Sequence, residues 1–128
     1  MSVILLLEDE RAIAEVLVEI LEEDGYQVVV ATNGRDGLQL VDQHPISLII
    51  TDLMMPVMTG REFCIHLVAR GPHPPILVLS ATAAIHAQDC PGAAAIMGKP
   101  FLTEHLLATV QQLLTNGPSP GQASATET

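Results

Sequence analysis

The chain has 128 residues, of which 48% are apolar and 16% are charged, and its formal net charge is −10. This length and composition fit a single domain with one hydrophobic core. The five Lys and Arg residues are scattered along the chain, which argues against a surface that binds nucleic acid or an anionic membrane.

No long apolar run or leader pattern is found near the start of the chain. Residues 3–7 form an apolar run that is far too short to cross a bilayer, and no basic region precedes it. Cys64 and Cys90 lack the spacing of a metal site and are expected to be free thiols in a reducing compartment. These observations predict a cytoplasmic protein.

Short apolar runs alternate with helical periodicity in chain order. Strands are predicted over residues 3–7, 27–31, 46–51, 76–79 and 95–98, and helices over 10–24, 35–43, 60–69 and 103–114. Between the fourth and fifth strands only a short helix, residues 83–88, is predicted, because Pro91 and Gly92 follow it. We predict one domain over residues 1–115 and a disordered tail over residues 116–128, which are rich in Gly, Pro, Ser and Thr.

This alternation predicts an α/β fold. Most of the strands are continuous apolar runs, as is typical of parallel strands that are buried on both faces. Right-handed crossovers then favour a doubly wound five-stranded parallel sheet of order 2-1-3-4-5, flavodoxin-like, with a shortened fourth helix. In such sheets ligands bind outside the carboxyl ends of the strands.

Polar residues follow four of the predicted strands. Glu8, Asp9 and Glu10 follow the first strand, and the others are Asp52, Ser80 and Lys99 after the third, fourth and fifth strands. In the predicted order these four strand ends are contiguous. Neighbouring strands lie about 4.8 Å apart, so short acids on the first and third strands can share one ion. Lys99, the only lysine in the chain, begins roughly 10 Å from Asp52 and needs its long side chain to reach a group there.

The residue types at these strand ends indicate a magnesium-dependent phosphoryl-accepting site. Clustered carboxylates repel one another unless a cation is bound, and oxygen ligands that leave room for water and phosphate suit Mg²⁺. The hydroxyl of Ser80 and a backbone N–H near Ala81 could bind phosphoryl oxygens, and Lys99 would supply a positive charge. Each residue alone has a structural explanation: Asp9 as a helix N-cap, Asp52 as a turn residue, Ser80 as a strand-end hydroxyl and Lys99 as a surface residue.

The same segments closely resemble the receiver domain of bacterial two-component response regulators. They read VILLLEDE over residues 3–10, DLMMPVMTG over residues 52–60, LSA over residues 79–81 and GKPF over residues 98–101. The second segment is the most specific, and the resemblance covers about residues 2–115.

The resemblance implies a role for each site residue. Asp52 would accept a phosphoryl group from a phosphohistidine on a sensor histidine kinase or a histidine phosphotransfer protein. Asp9, Asp52 and the backbone carbonyl of Met54 would bind Mg²⁺ directly, and Glu8 would bind it through water. Ser80 would be the switch hydroxyl and, with the backbone N–H of Ala81, would bind phosphate. Lys99 would pair with the phosphate, and its bond to Pro100 would be cis.

The chain departs from the family pattern at three points. Glu8 stands where Asp is commoner, Ile96 stands where a switch aromatic is usual, and the stretch from Ser80 to Lys99 is short and contains Pro91. The last two changes concern the face through which the signal leaves the domain. We expect Ser80 to move toward a bound phosphate without an aromatic ring following it.

Three functions compete for this sequence. The first is a phosphorylation-dependent signalling switch that assists only its own phosphorylation and dephosphorylation and is not an enzyme with a separate substrate. The second is a phosphorylation-independent interaction module with a degenerate output switch. The third, a Mg²⁺-dependent phosphohydrolase, is disfavoured because Met54 occupies the position of the second acid that such an enzyme needs.

The output of the switch is expected to be contact with a downstream protein target, without direct binding to nucleic acid or membrane. The sequence is compatible with a diffusible regulator, a phosphorelay intermediate or a piece of a longer protein. It is equally compatible with a monomer and with an oligomer.

Overall fold

The computed structural model describes residues 2–53, 55, 57–80 and 90–116. Its five strands are β1 (Val3–Leu7), β2 (Gln27–Ala31), β3 (Leu48–Asp52), β4 (Ile76–Ser80) and β5 (Ala93–Gly98). The helices in these described ranges are α1 (Arg11–Glu23), α2 (Gly34–Gln43), α3 (Gly60–Ala69) and α4 (Thr103–Asn116). No helix among these is both long and apolar enough to cross a membrane.

The five strands form one parallel sheet in the order β2-β1-β3-β4-β5, which confirms the predicted topology. All five residues of β1 are buried, as are all five of β4. These strands lie inside the sheet and are covered on both faces, so every side chain in them is apolar except Ser80 at the carboxyl end of β4.

Two apolar clusters cover the two faces of the sheet. Successive strand residues point to opposite faces, so Ile4 and Leu6 of β1 pack with α1 and α4, whereas Leu5 and Leu7 pack with α2 and α3. Each helix contributes an apolar stripe, for example Ala14, Leu17 and Leu21 of α1 in the first cluster. The domain is therefore a three-layer α/β/α structure with the sheet in the middle.

Two of the five strands begin two residues away from the predicted start, and several other ends differ by one or two residues. The third strand was expected over residues 46–51, but β3 begins at Leu48, where its pairing with Ile4 begins. The residues before it make a turn, in which Ile46 donates a backbone hydrogen bond to the carbonyl of His44 at 2.9 Å. β5 begins at Ala93, two residues earlier than expected, and pairs with β4 through Ile76. The short helix predicted over residues 83–88, and residues 117–128 of the predicted tail, lie outside the described residues.

Candidate functional site

The carboxyl ends of β1, β3, β4 and β5 meet along one edge of the sheet. β3 ends at Asp52 and β4 ends at Ser80, while Glu8 follows β1 and Lys99 follows β5. Since these strands are parallel and adjacent in this order, the four side chains emerge at the same edge. The structure thus brings these four residues to the edge at which the predicted topology puts them.

Three carboxylates form a compact acidic cluster at this edge. One carboxylate oxygen from each of Glu8, Asp9 and Asp52 lies within 4.8 Å of the others. Glu8 is buried, with 1% of its surface exposed, whereas its neighbour Asp9 is exposed. The N-cap position of α1 is Glu10 and makes no side-chain capping bond, so Asp9 is not used as the cap of this helix. The cluster has the spacing and ligand type of a site for a divalent cation.

The ammonium of Lys99 reaches this cluster across β4. Its Nζ lies 3.1 Å from Oδ2 of Asp52 and 3.8 Å from Oε1 of Glu8. The base of the side chain is anchored because the backbone N–H of Lys99 donates to the carbonyl of Ser80 at 2.8 Å. The peptide bond from Lys99 to Pro100 is cis, the isomer that the resemblance implies.

Glu8 has an incompletely satisfied carboxylate. Its Oε2 accepts a hydrogen bond from the backbone N–H of Glu10 at 3.1 Å, whereas Oε1 is buried and has no hydrogen-bond partner among the described residues. Burial, followed by the negative charge of Asp52, raises the pKa of Glu8 to about 7, against the opposing effects of the Glu10 N–H and Lys99. A proton or an added cation would therefore stabilise Oε1 of Glu8. A buried carboxylate oxygen of this kind is a suitable ligand atom for a divalent metal ion.

The backbone around Asp52 is held by residues that the sequence reasoning did not single out. Thr51 is fully buried, and its hydroxyl donates to the carbonyl of Asp52 at 2.9 Å. Leu53 donates to the carbonyl of Leu79 at 3.2 Å, and Gly60 donates to the carbonyl of Leu53 at 2.9 Å. The only sequence signal for this arrangement was the Gly at position 60 within the DLMMPVMTG segment.

The backbone of Gly60 packs directly against Asp52. A Cβ at this position would collide with the carbonyl oxygen of Asp52 and lie 3.0 Å from the Cα of Leu53. A capping box supports the helix that starts here, because Thr59 and Glu62 exchange hydrogen bonds of 3.1 and 2.9 Å. The start of α3 thereby buttresses the carboxyl end of β3.

Ser80 and Ile96 lie on the side of Asp52 opposite to Glu8 and Asp9, on β4 and β5. Ser80 is 2% exposed and is paired in register with Gly98. Ile96 is half-buried opposite Val78 and packs against the cluster formed by α2 and α3. The remaining predicted site residues, Met54 and Ala81, lie outside the described residues.

Comparison with known proteins assigns this domain to a family. A family model described as the response regulator receiver domain matches residues 4–111. The chain belongs to this family. Receiver domains are signalling switches and not enzymes in the usual sense.

Solved structures of receiver proteins have the same fold. The chemotaxis response regulator CheY4 of Vibrio cholerae is 32% identical, with a TM-score of 0.78, and the match covers 88% of this chain and 98% of that one. Response regulator protein TrrA of Thermotoga maritima, solved in complex with Mg²⁺-BeF, is 28% identical with a TM-score of 0.79 and coverages of 88% and 99%.

Among curated sequences, a probable transcriptional regulatory protein of Picosynechococcus sp. is 38% identical over 121 residues. The match covers 87% of this chain and 48% of that protein. The chain spans about half the length of the curated relatives that it matches.

Proposed function

We propose that this receiver domain is a phosphorylation-dependent switch of a two-component system, and that Asp52 accepts the phosphoryl group. The contact that carries the proposal is the 3.1 Å approach of the Lys99 ammonium to Oδ2 of Asp52 beside two further acids. A lysine that crosses an intervening strand to reach an acid at a sheet edge is well placed to hold an anion attached to that acid.

Mg²⁺ fits the acidic cluster. Glu8, Asp9 and Asp52 supply hard oxygen atoms, and the buried Oε1 of Glu8, which accepts no hydrogen bond from the described residues, is an acceptor at this position. The resemblance adds the backbone carbonyl of Met54 as a further ligand and places water between Glu8 and the ion. When bound, the ion neutralises negative charge on the acids and on the incoming phosphoryl group.

The residues of the chain would share the transfer as follows. A carboxylate oxygen of Asp52 attacks phosphorus in line, an O–P bond forms, and the N–P bond to the donor histidine breaks. Lys99 exchanges its contact with Oδ2 for one with a phosphoryl oxygen. The hydroxyl of Ser80 and the backbone N–H of Ala81 donate to the remaining oxygens. The domain turns over no separate substrate, so its catalytic role is limited to its own phosphorylation and dephosphorylation.

The phosphoryl donor would be a sensor histidine kinase or a histidine phosphotransfer protein. The added charge of roughly −1.5 to −2 at pH 7 would shift the domain toward the state that fits a downstream protein surface. That surface belongs either to a separate protein or, if the chain is part of a longer regulator, to a linked domain.

Labelling by a small phosphodonor tests the function. The wild-type chain is incubated with acetyl phosphate and Mg²⁺, and intact-mass spectrometry counts added phosphoryl groups. We expect one group on the wild type, none on Asp52→Asn, and one on Asp24→Asn, a matched change at the exposed C-cap of α1. An unlabelled wild type would favour the phosphorylation-independent module, and equal labelling of Asp52→Asn would place the acceptor elsewhere. Release of phosphate from a simple phosphomonoester would instead support a phosphohydrolase.

A further inference from the structure

Gly34, the first residue of α2, touches the loop that follows Asp52. It is buried, and its backbone N–H donates to the carbonyl of Met58 at 3.2 Å. A Cβ at this position would lie 2.8 Å from both Cγ and Sδ of Met58 and 3.0 Å from its Cβ. Only glycine leaves room for Met58 to lie this close to the start of the helix.

The loop is strained at the residue before Met58. Val57 has a φ of 67° and is 70% exposed. A β-branched residue rarely adopts this left-handed conformation, and it persists only where the surroundings impose it. The side chain of Val57 points largely to solvent, and at the next residue the backbone carbonyl of Met58 accepts the hydrogen bond from Gly34.

The first turn of α2 is capped and closely packed. The side chain of Asn33 accepts a hydrogen bond from the N–H of Asp36 at 2.9 Å and caps the helix. One turn further on, a Cβ at Gly37 would lie 2.8 Å from Cδ2 of Leu7 and 3.2 Å from Cε1 of Phe63. The helix is thus packed closely against the sheet and α3, and a methyl group added at Gly34 would meet the side chain of Met58.

From Met58 the loop leads directly to the backbone of the phosphoacceptor. Two residues later Gly60 packs against the carbonyl of Asp52 and bonds to the carbonyl of Leu53. A displacement of Met58 therefore acts on a short segment whose far end touches Asp52.

We propose that Gly34 is a positioning residue for the phosphoacceptor: its missing side chain lets α2 hold the strained loop in the conformation that fixes Asp52. The inference rests on the proposed role of Asp52. The corner between β2 and α2 contributes no group to the acidic cluster. Through Gly34 it nevertheless affects the phosphorylation of Asp52.

A double-mutant cycle tests this role. Gly34→Ala should lower the rate of labelling by acetyl phosphate about tenfold, since small misplacements of reacting groups cost this much or more. It should also weaken Mg²⁺ binding measured by isothermal titration calorimetry. Shortening the opposing side chain relieves the clash, so Gly34→Ala combined with Met58→Ala should label and bind Mg²⁺ within about threefold of Met58→Ala alone.

Gly37→Ala is the matched control. It adds the same methyl group to the same helix, but against Leu7 and Phe63 and not against the loop. It should lower the thermal unfolding midpoint while the folded protein labels at the wild-type rate. If Gly34→Ala alone does not fold, the double variant must fold and label for the proposal to stand.

The outcomes separate this inference from the proposed function. An unlabelled wild type, or a labelled Asp52→Asn, contradicts the proposed function. If the wild type labels normally but folded Gly34→Ala labels and binds Mg²⁺ equally well, Gly34 has no positioning role. The same conclusion follows if Met58→Ala fails to restore the double variant or if Gly37→Ala slows labelling as much as Gly34→Ala.

Discussion

Lys99 and Asp52 are joined by a 3.1 Å contact across an intervening strand, although 47 residues separate them in the chain. The ammonium comes from the end of β5 and the carboxylate from the end of β3, with β4 between them. The same ammonium lies 3.8 Å from Glu8, so one cation faces two of the three acids in the cluster. In this structure Lys99 occupies the side of Asp52 at which we place a phosphoryl group.

Replacing Lys99 should strengthen Mg²⁺ binding. The ammonium competes electrostatically with a metal ion for Asp52 and Glu8, so Lys99→Met removes a repulsive charge and keeps the apolar stem. We expect a gain in affinity of about three- to tenfold, measured by calorimetry near pH 8, where Glu8 is largely ionised. Arg70→Met, at the C-cap of α3 and paired with Asp42, should leave the affinity unchanged. Weaker Mg²⁺ binding by Lys99→Met would show that the lysine helps to build the metal site.

The raised pKa of Glu8 should make the metal-free protein less stable as pH rises. Burial raises this pKa from 4.5 to about 7. Between these values the folded state holds a proton that the unfolded chain has released, so the stabilisation is complete below about pH 4.5 and is lost by about pH 7. Its size is at most about 3 kcal/mol.

Urea unfolding without Mg²⁺ measures this effect by comparison with Glu8→Gln, which carries no titrating proton. The free energy of unfolding of the wild type should fall relative to that of the variant across this pH range. Parallel pH profiles for the two proteins would mean that the Glu8 carboxyl titrates alike in the folded and unfolded states.

A methyl group at Gly60 should destabilise the domain by roughly 1–3 kcal/mol, because the atoms it would meet are the backbone of Asp52 and Leu53, which cannot rotate away. Gly98→Ala is the matched change on the same edge of the sheet, since its Cβ would have no neighbour within 4 Å. We expect that variant to unfold within about 0.5 kcal/mol of the wild type. Equal stabilities for the two variants in urea would mean that the backbone after Asp52 shifts to accommodate the methyl group without a loss of stability.

The switch should operate without an aromatic ring. We expect Ser80 to move toward Asp52 when a phosphoryl mimic such as beryllofluoride binds with Mg²⁺, while Ile96 keeps its half-buried packing against the cluster formed by α2 and α3. Crystal structures with and without the mimic measure both movements. A large rearrangement of Ile96, or a stationary Ser80, would contradict this prediction.

The topology and the main site residues were accessible from the sequence. Apolar runs that alternate with helical periodicity predict a parallel sheet of order 2-1-3-4-5. The polar residues that follow these runs must then lie at one edge of the sheet. This reasoning brought Asp52, Lys99 and Ser80 together, and the structure confirms the sheet order. The start of β3 was misplaced because Ile46 extends the apolar run but lies in a turn before the first ladder partner.

Burial and close approach were decided only by the tertiary structure. Glu8 and Asp9 are adjacent acids in the sequence, yet Glu8 is buried with one carboxylate oxygen that accepts no hydrogen bond from the described residues, and Asp9 is exposed. The contacts of Gly34 with Met58 join segments that are distant in sequence, and they lie next to the strained residue Val57. The sequence by itself determined which chemical groups stand at which strand ends, because periodicity is local. Their burial, charge and alignment depend on how the loops pack against one another, which no local pattern encodes.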